Sequence, residues 1–90
     1  MTIITSSRFR KRLKEIAKGN RERQKEIREV IKLLESNPEY PGLRLHQTRH
    51  NYEEYWSISL ADDLRIVFYY FGENIVLVDI GSHQKVYEEN

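Results

Sequence analysis

Apolar residues fall at helical spacing in the first third of the chain and alternate with a period of two in the last third. Phe9, Leu13, Ile16 and Ala17 follow the three-four rhythm of a half-buried helix. Arg8, Arg10, Lys11, Arg12 and Lys14 fall mostly on its other side. Thr5, Ser6 and Ser7 supply N-caps, and Gly19-Asn20 supplies a stop and a tight link. A second helix is predicted from Arg21 to Ser36. Its stripe is Ile27, Val30, Ile31 and Leu34, with Leu33 at the margin. Asn37-Pro38 ends it, because the residue before proline disfavours the α region. Pro41-Gly42 reads as a turn. Two amphipathic helices with a short link make a helical hairpin. Ahead of them, Thr2 to Thr5 is β-branched and suits an edge strand or an ordered arm.

The rhythm then changes. Trp56, Ile58 and Leu60 alternate with Tyr55, Ser57 and Ser59. Ala61-Asp62-Asp63 is the next turn. Leu64, Ile66, Phe68 and Tyr70 take one face of the following strand, and Arg65, Val67, Tyr69 and Phe71 take the other. Gly72-Glu73-Asn74 marks a hairpin. In the last strand Val76, Val78 and Ile80 are set against Ile75, Leu77 and Asp79. Leu45 to Glu54 reads as a loop. The prediction is one α+β domain over residues 1–90. Its N-terminal helical hairpin packs on a twisted antiparallel sheet of three to four strands, and a short C-terminal helical turn follows.

Ninety residues carry a modest core. There is no cysteine, which excludes disulfides and thiolate metal sites. No stretch has the apolar length of a membrane helix or signal peptide, so no membrane partner and a cytoplasmic location are expected. The net charge of +1 hides a division. Residues 8 to 32 hold eleven Lys or Arg against four Glu, and residues 33 to 90 hold four against ten Asp or Glu. A basic half of this kind is either a nucleic-acid surface or a solvated helical face.

Three positions carry candidate chemistry. Arg65 stands in an otherwise apolar strand. It either pairs across the sheet, with Asp79 or Asp63, or presents a guanidinium to a phosphate. His83 follows Gly81-Ser82. With Ser82 as a cap, the dipole of a final helical turn opposes a charged imidazole and suits a general base. The other reading is a surface histidine in a tail. Tyr87 lies one turn on, where it either stacks on a base or pins the tail to the sheet. His46, His50 and His83 match no short metal motif, so neither a metal nor another cofactor is expected. Trp56 and the tyrosines at 52, 55, 69 and 70 read chiefly as packing residues.

Taken in order along nearly the whole chain, these fragments resemble the RelE/ParE toxin superfamily of bacterial type II toxin–antitoxin systems. They are most similar to its YafQ-like and RelE-like messenger-RNA interferases. The fragments are Phe9 with Leu13, Leu34 through Asn37-Pro38, Leu43-Arg44-Leu45-His46, Trp56-Ser57-Ile58-Ser59, Asp63 to Phe68, and Ile80-Gly81-Ser82-His83 with Val86-Tyr87. The resemblance implies a RelE/ParE-like fold and a toxin that cleaves messenger RNA in the ribosomal A site without a metal. A base activates the ribose 2′-hydroxyl, which attacks the adjacent phosphate. By resemblance His83 is the acid or base, Arg65 holds the scissile phosphate, and Tyr87 holds substrate. Asp63 matches an acidic position, and His46 or His50 stands for a histidine on the incoming segment. Arg8, Lys11, Arg12, Arg49 and Lys85 would bind RNA, and the basic helices would grip ribosomal RNA backbone. The partners implied are a cognate antitoxin, the ribosome and its message.

Two positions depart from the pattern. Ser59 stands where the YafQ-like pattern has a histidine, and Leu64 stands where it has a tryptophan. Two alternatives share the fold: a ParE-like inhibitor of DNA gyrase, and a catalytically silent relative that only engages an antitoxin.

Overall fold

In a computed structural model, residues 2–50, 53–61 and 64–82 are described. The chain begins with a short strand, β1 (Ile3–Thr5), followed by helices α1 (Ser7–Ala17) and α2 (Arg21–Ser36). A 3-10 turn, Pro41–Leu43, leads to β2 (His46–His50), β3 (Glu53–Ala61), β4 (Leu64–Phe71) and β5 (Asn74–Ser82).

Local chemistry sets the helix ends. Ser6 is the cap of α1, its Oγ accepting from Phe9 N at 3.0 Å. Asn20 caps α2 in the same way, accepting from Arg23 N at 3.0 Å. Between them Gly19 turns the chain at φ +69°, a conformation that costs glycine nothing. The Ala17 carbonyl, at the end of α1, accepts from Asn20 N at 3.0 Å and from Gln24 Nε2 at 2.9 Å.

The strands form one sheet in the order β1-β5-β4-β3-β2. β2 to β5 are an antiparallel meander, whereas β1 lies parallel to β5. The sheet therefore has five strands and is mixed, not three or four and antiparallel throughout. The segment expected to be a loop contains β2. Its residues, His46-Gln47-Thr48-Arg49-His50, have no apolar alternation to announce a strand, yet they pair residue for residue with Ser57 down to Glu53. The loop between β4 and β5 is only Gly72-Glu73, since Asn74 already pairs with Phe71. Gly72 sits at φ +61°, as a two-residue hairpin needs at its first loop position. The predicted C-terminal helical turn lies outside the described residues.

The core lies between helices and sheet. Phe9 and Ala17 of α1, and Ile27 and Leu34 of α2, meet Ile58, Ile66, Phe68, Ile75, Leu77 and Ile80. Ile75, Leu77 and Ile80 share this core although their spacing is uneven, and the register explains why. Phe68 pairs with Leu77 but Val67 pairs with Asp79, so Val78 is one residue extra. This β-bulge resets the alternation. It moves Ile80 to the side of Leu77 and Asp79 to the side of Val67, which corrects the face assignment made from strict alternation.

Candidate functional site

The sheet face away from this core collects the polar residues. Register places His46 and Thr48 of β2, Tyr55, Ser57 and Ser59 of β3, Arg65, Val67 and Tyr69 of β4, and Asp79 and Gly81 of β5 on it. Tyr55 and Tyr69 face each other with ring centroids 6.0 Å apart. Arg65 lies between Ser59 on one side and Gly81 on the other. The strands on both sides are bulged nearby: Leu60 in β3 and Val78 in β5 are each skipped by the pairing with β4. Bulges recur beside active sites because they re-aim side chains.

Arg65 is half-buried, and its Nη1 donates to the Leu64 carbonyl at 3.1 Å. Its neighbour across the ladder, Gly81, has no side chain to cover it. β5 ends one residue later at Ser82, and His83 follows in the sequence. His46 is exposed, and its Nδ1 contacts the Arg44 carbonyl at 3.1 Å. A carbonyl only accepts, so Nδ1 is the donor in this contact. His46 pairs with Ser57, and Ser57 with Val67, so two strand spacings, about 10 Å, separate β2 from β4. His50 and Arg49 belong to β2 and pair with Glu53 and Glu54. Ser59 is buried at the Arg65 pair, and Leu64 is in the core. Asp63, His83, Lys85 and Tyr87 lie outside the described residues.

Asp79 was not singled out from the sequence except as a possible mate for Arg65. It is 1% exposed and meets two arginines of α1. Arg8 Nε is 3.3 Å from Oδ2, and Arg12 Nε is 3.7 Å from Oδ1. Oδ1 also accepts from Ile80 N at 2.9 Å. Among the described residues Oδ2 has no aligned hydrogen bond, so the Arg8 contact is an ion pair without hydrogen-bond geometry. Two residues expected to bind RNA, Arg8 and Arg12, are thus engaged with a buried carboxylate of their own chain. Lys11 is exposed. It lines a shallow concavity of about 520 Å³ with Ser7, Arg10, Lys14 and Glu15. A neighbouring groove of about 650 Å³ is lined by Leu13, Ala17, Lys14, Lys18 and Gln24. Both lie along α1, apart from the polar sheet face.

Among the described residues no cluster of His, Asp and Glu suits a metal ion. No described helix is long and apolar enough to cross a membrane.

A family model described as the YafQ bacterial toxin of type II toxin–antitoxin systems matches residues 1–88. The chain belongs to this family. Solved structures agree with that fold. A metal-bound toxin from Helicobacter pylori is 27% identical, with a TM-score of 0.80 over 96% of this chain and 98% of that one. YafQ from Escherichia coli is 15% identical, with a TM-score of 0.78 over 94% and 96%. The toxin in the E. coli DinJ–YafQ complex is also 15% identical, with a TM-score of 0.77 over the same shares. At 15% these last two support the fold alone. No curated protein sequence matches the chain significantly.

Proposed function

We propose that this YafQ-family toxin is an endoribonuclease that cuts messenger RNA in the ribosomal A site. The ribose 2′-hydroxyl attacks the adjacent phosphate, leaving a 2′,3′-cyclic phosphate and a 5′-hydroxyl end. His83 is the acid or base, Arg65 holds the scissile phosphate, and Tyr87 holds the substrate. Asp63, His46 and His50 complete the polar set, and no metal takes part. The observation that carries this reading is the register of Arg65 with Gly81. It sets the half-buried Arg65 beside the strand end from which the chain continues into Ser82 and His83. A guanidinium in that position suits bidentate phosphate binding. Lys11, Arg49 and Lys85 add sequence-independent attraction to the backbone.

The chain is also proposed to be neutralised by a cognate antitoxin. The E. coli DinJ–YafQ complex is a toxin of the same fold with its antitoxin bound.

Inducible expression with mapping of message ends, in extracts with and without ribosomes, tests the reading. Cleavage that needs ribosomes and disappears in His83→Ala and Arg65→Ala is the expected result, and chelator-stripped, desalted protein should retain it. Intact messages with inhibited supercoiling would point to gyrase instead. A toxin that leaves both untouched yet binds its antitoxin would be a silent relative.

A further inference from the structure

We propose that Asp79 is a positioning residue for the candidate site, and that Arg8 and Arg12 act through it instead of gripping RNA. What is positioned rests on the ribonuclease reading above; how it is positioned rests on geometry alone.

Three consecutive residues of β5 are fastened to the start of α1. Leu77 O accepts from Ser6 N at 3.0 Å, Val78 O accepts from Ser6 Oγ at 3.0 Å, and Asp79 takes Arg8 and Arg12. Ser6 is also the cap that starts α1. The helix start and the bulge in β5 are therefore one joint. Immediately beyond it, Ile80, Gly81 and Ser82 pair with Ile66, Arg65 and Leu64. β1 stops at Thr5, opposite Leu77, so the described strands give β5 no second neighbour from Val78 onward. The Asp79 contacts hold this one-sided end of the strand.

Stability alone does not account for a carboxylate here. Buried ion pairs often do no better than apolar side chains of similar volume, and Val67, its ladder partner, is a buried apolar residue. The carboxylate at the bulge is oriented by partners on both of its oxygens: Oδ1 accepts from the Ile80 amide and faces Arg12, while Oδ2 faces Arg8. That orientation carries the adjacent Ile80 amide with it. Arg12 is only 11% exposed on its side chain, which leaves little of it for a polynucleotide; Arg8 is 41% exposed.

The test uses the full chain in Asp79→Asn, Arg12→Lys, Arg12→Gln and the charge exchange Arg12→Asp with Asp79→Arg. Lys11→Ala is the comparison for backbone grip. Three quantities are read: kcat and KM for message cleavage, the salt dependence of RNA binding, and hydrogen exchange of the amides of residues 80 to 82. Asp79→Asn is expected to lower kcat about tenfold or more while KM moves less than about twofold, as a displaced reacting group does. Exchange at residues 80 to 82 should accelerate by about tenfold or more. Lys11→Ala should raise KM and reduce the salt slope by about one. Arg12→Gln should leave that slope unchanged, and Arg12→Lys should recover part of kcat.

Unchanged kcat and unchanged exchange in Asp79→Asn would overturn the proposal. So would an Arg12→Gln variant that behaves like Lys11→Ala. If Asp79→Asn does not fold, the exchanged pair decides: restored protection at residues 80 to 82 supports the joint, and a folded exchange variant without it refutes the joint. A wild-type protein that never cuts RNA sinks the ribonuclease reading, and amide exchange still decides the role of Asp79.

Discussion

Ser57→Ala should make the protein more stable. Ser57 is 0% exposed in the middle of β3, and among the described residues its Oγ has no hydrogen-bond partner. Burying a hydroxyl without a bond costs about 1–3 kcal/mol in proteins. The alanine variant removes that cost and loses no hydrogen bond. Against the gain stand the contacts of one oxygen atom, each about 0.1–0.2 kcal/mol, and a small difference in strand preference. A net gain of about 1 kcal/mol remains. In a domain of this size that raises Tm by about 4–8 °C. Urea unfolding is the cleaner assay, because a higher midpoint at unchanged slope isolates stability. A loss of about 1 kcal/mol or more would refute the reasoning, since it would mean that the hydroxyl is bonded in solution. Thr48→Val checks the argument independently. Thr48 lies on the same sheet face, and its Oγ1 is likewise buried without a partner among the described residues. The substitution keeps volume and removes only the polar atom, so its effect should have the same sign.

Phe9→Ala should cost about 3–5 kcal/mol, because Phe9 is fully buried where α1 meets the sheet; a loss below about 1 kcal/mol in the same urea assay would contradict the core as described. Gly72→Ala should cost about 1–2 kcal/mol from backbone strain alone, since φ is +61° and a Cβ there would meet nothing within 4 Å. The Tyr70 hydroxyl is pushed above its ordinary 10.0, first by desolvation and then by Glu39. The fold thus prefers the neutral phenol. Its contribution to stability is present below pH 10.0 and is lost as pH rises through the folded value. Tyr70→Phe should flatten that alkaline limb of the stability curve, and Glu39→Gln should lower the tyrosinate titration midpoint seen by absorbance.

The helices were legible because their signals are local. The second one spans Arg21–Ser36 as its stripe and caps indicate, and β3, β4 and the hairpin at Gly72 follow from alternation and turn chemistry. β2 was not legible, because His46 to His50 is polar throughout and is a strand only by pairing with β3. The faces of β5 were misread past Val78 for a different reason. A bulge changes parity without any sequence mark, so the alternating pattern still looks continuous across it. Arg65 stood out as a lone charge among apolar neighbours. The role of Asp79 did not, since its mates in α1 lie 67 and 71 positions earlier and only the folded chain brings them together.

The parallel pairing of β1 with β5 also sets a schedule for synthesis. The carbonyl of Thr2 bonds Ile75 N, and Ser6 Oγ bonds Val78 O, 72 positions away. The first strand leaves the ribosome with no mate, and its mate is made only about 72 positions later. At about 5–20 residues per second the gap lasts roughly 4–14 s. The pairing of β2, β3 and β4 can form before then, but the joint between α1 and β5 cannot, and neither can the strand end beside Arg65. A growing chain of this toxin therefore lacks its candidate site until β5, Asn74–Ser82, has been made, whatever its helices have already done.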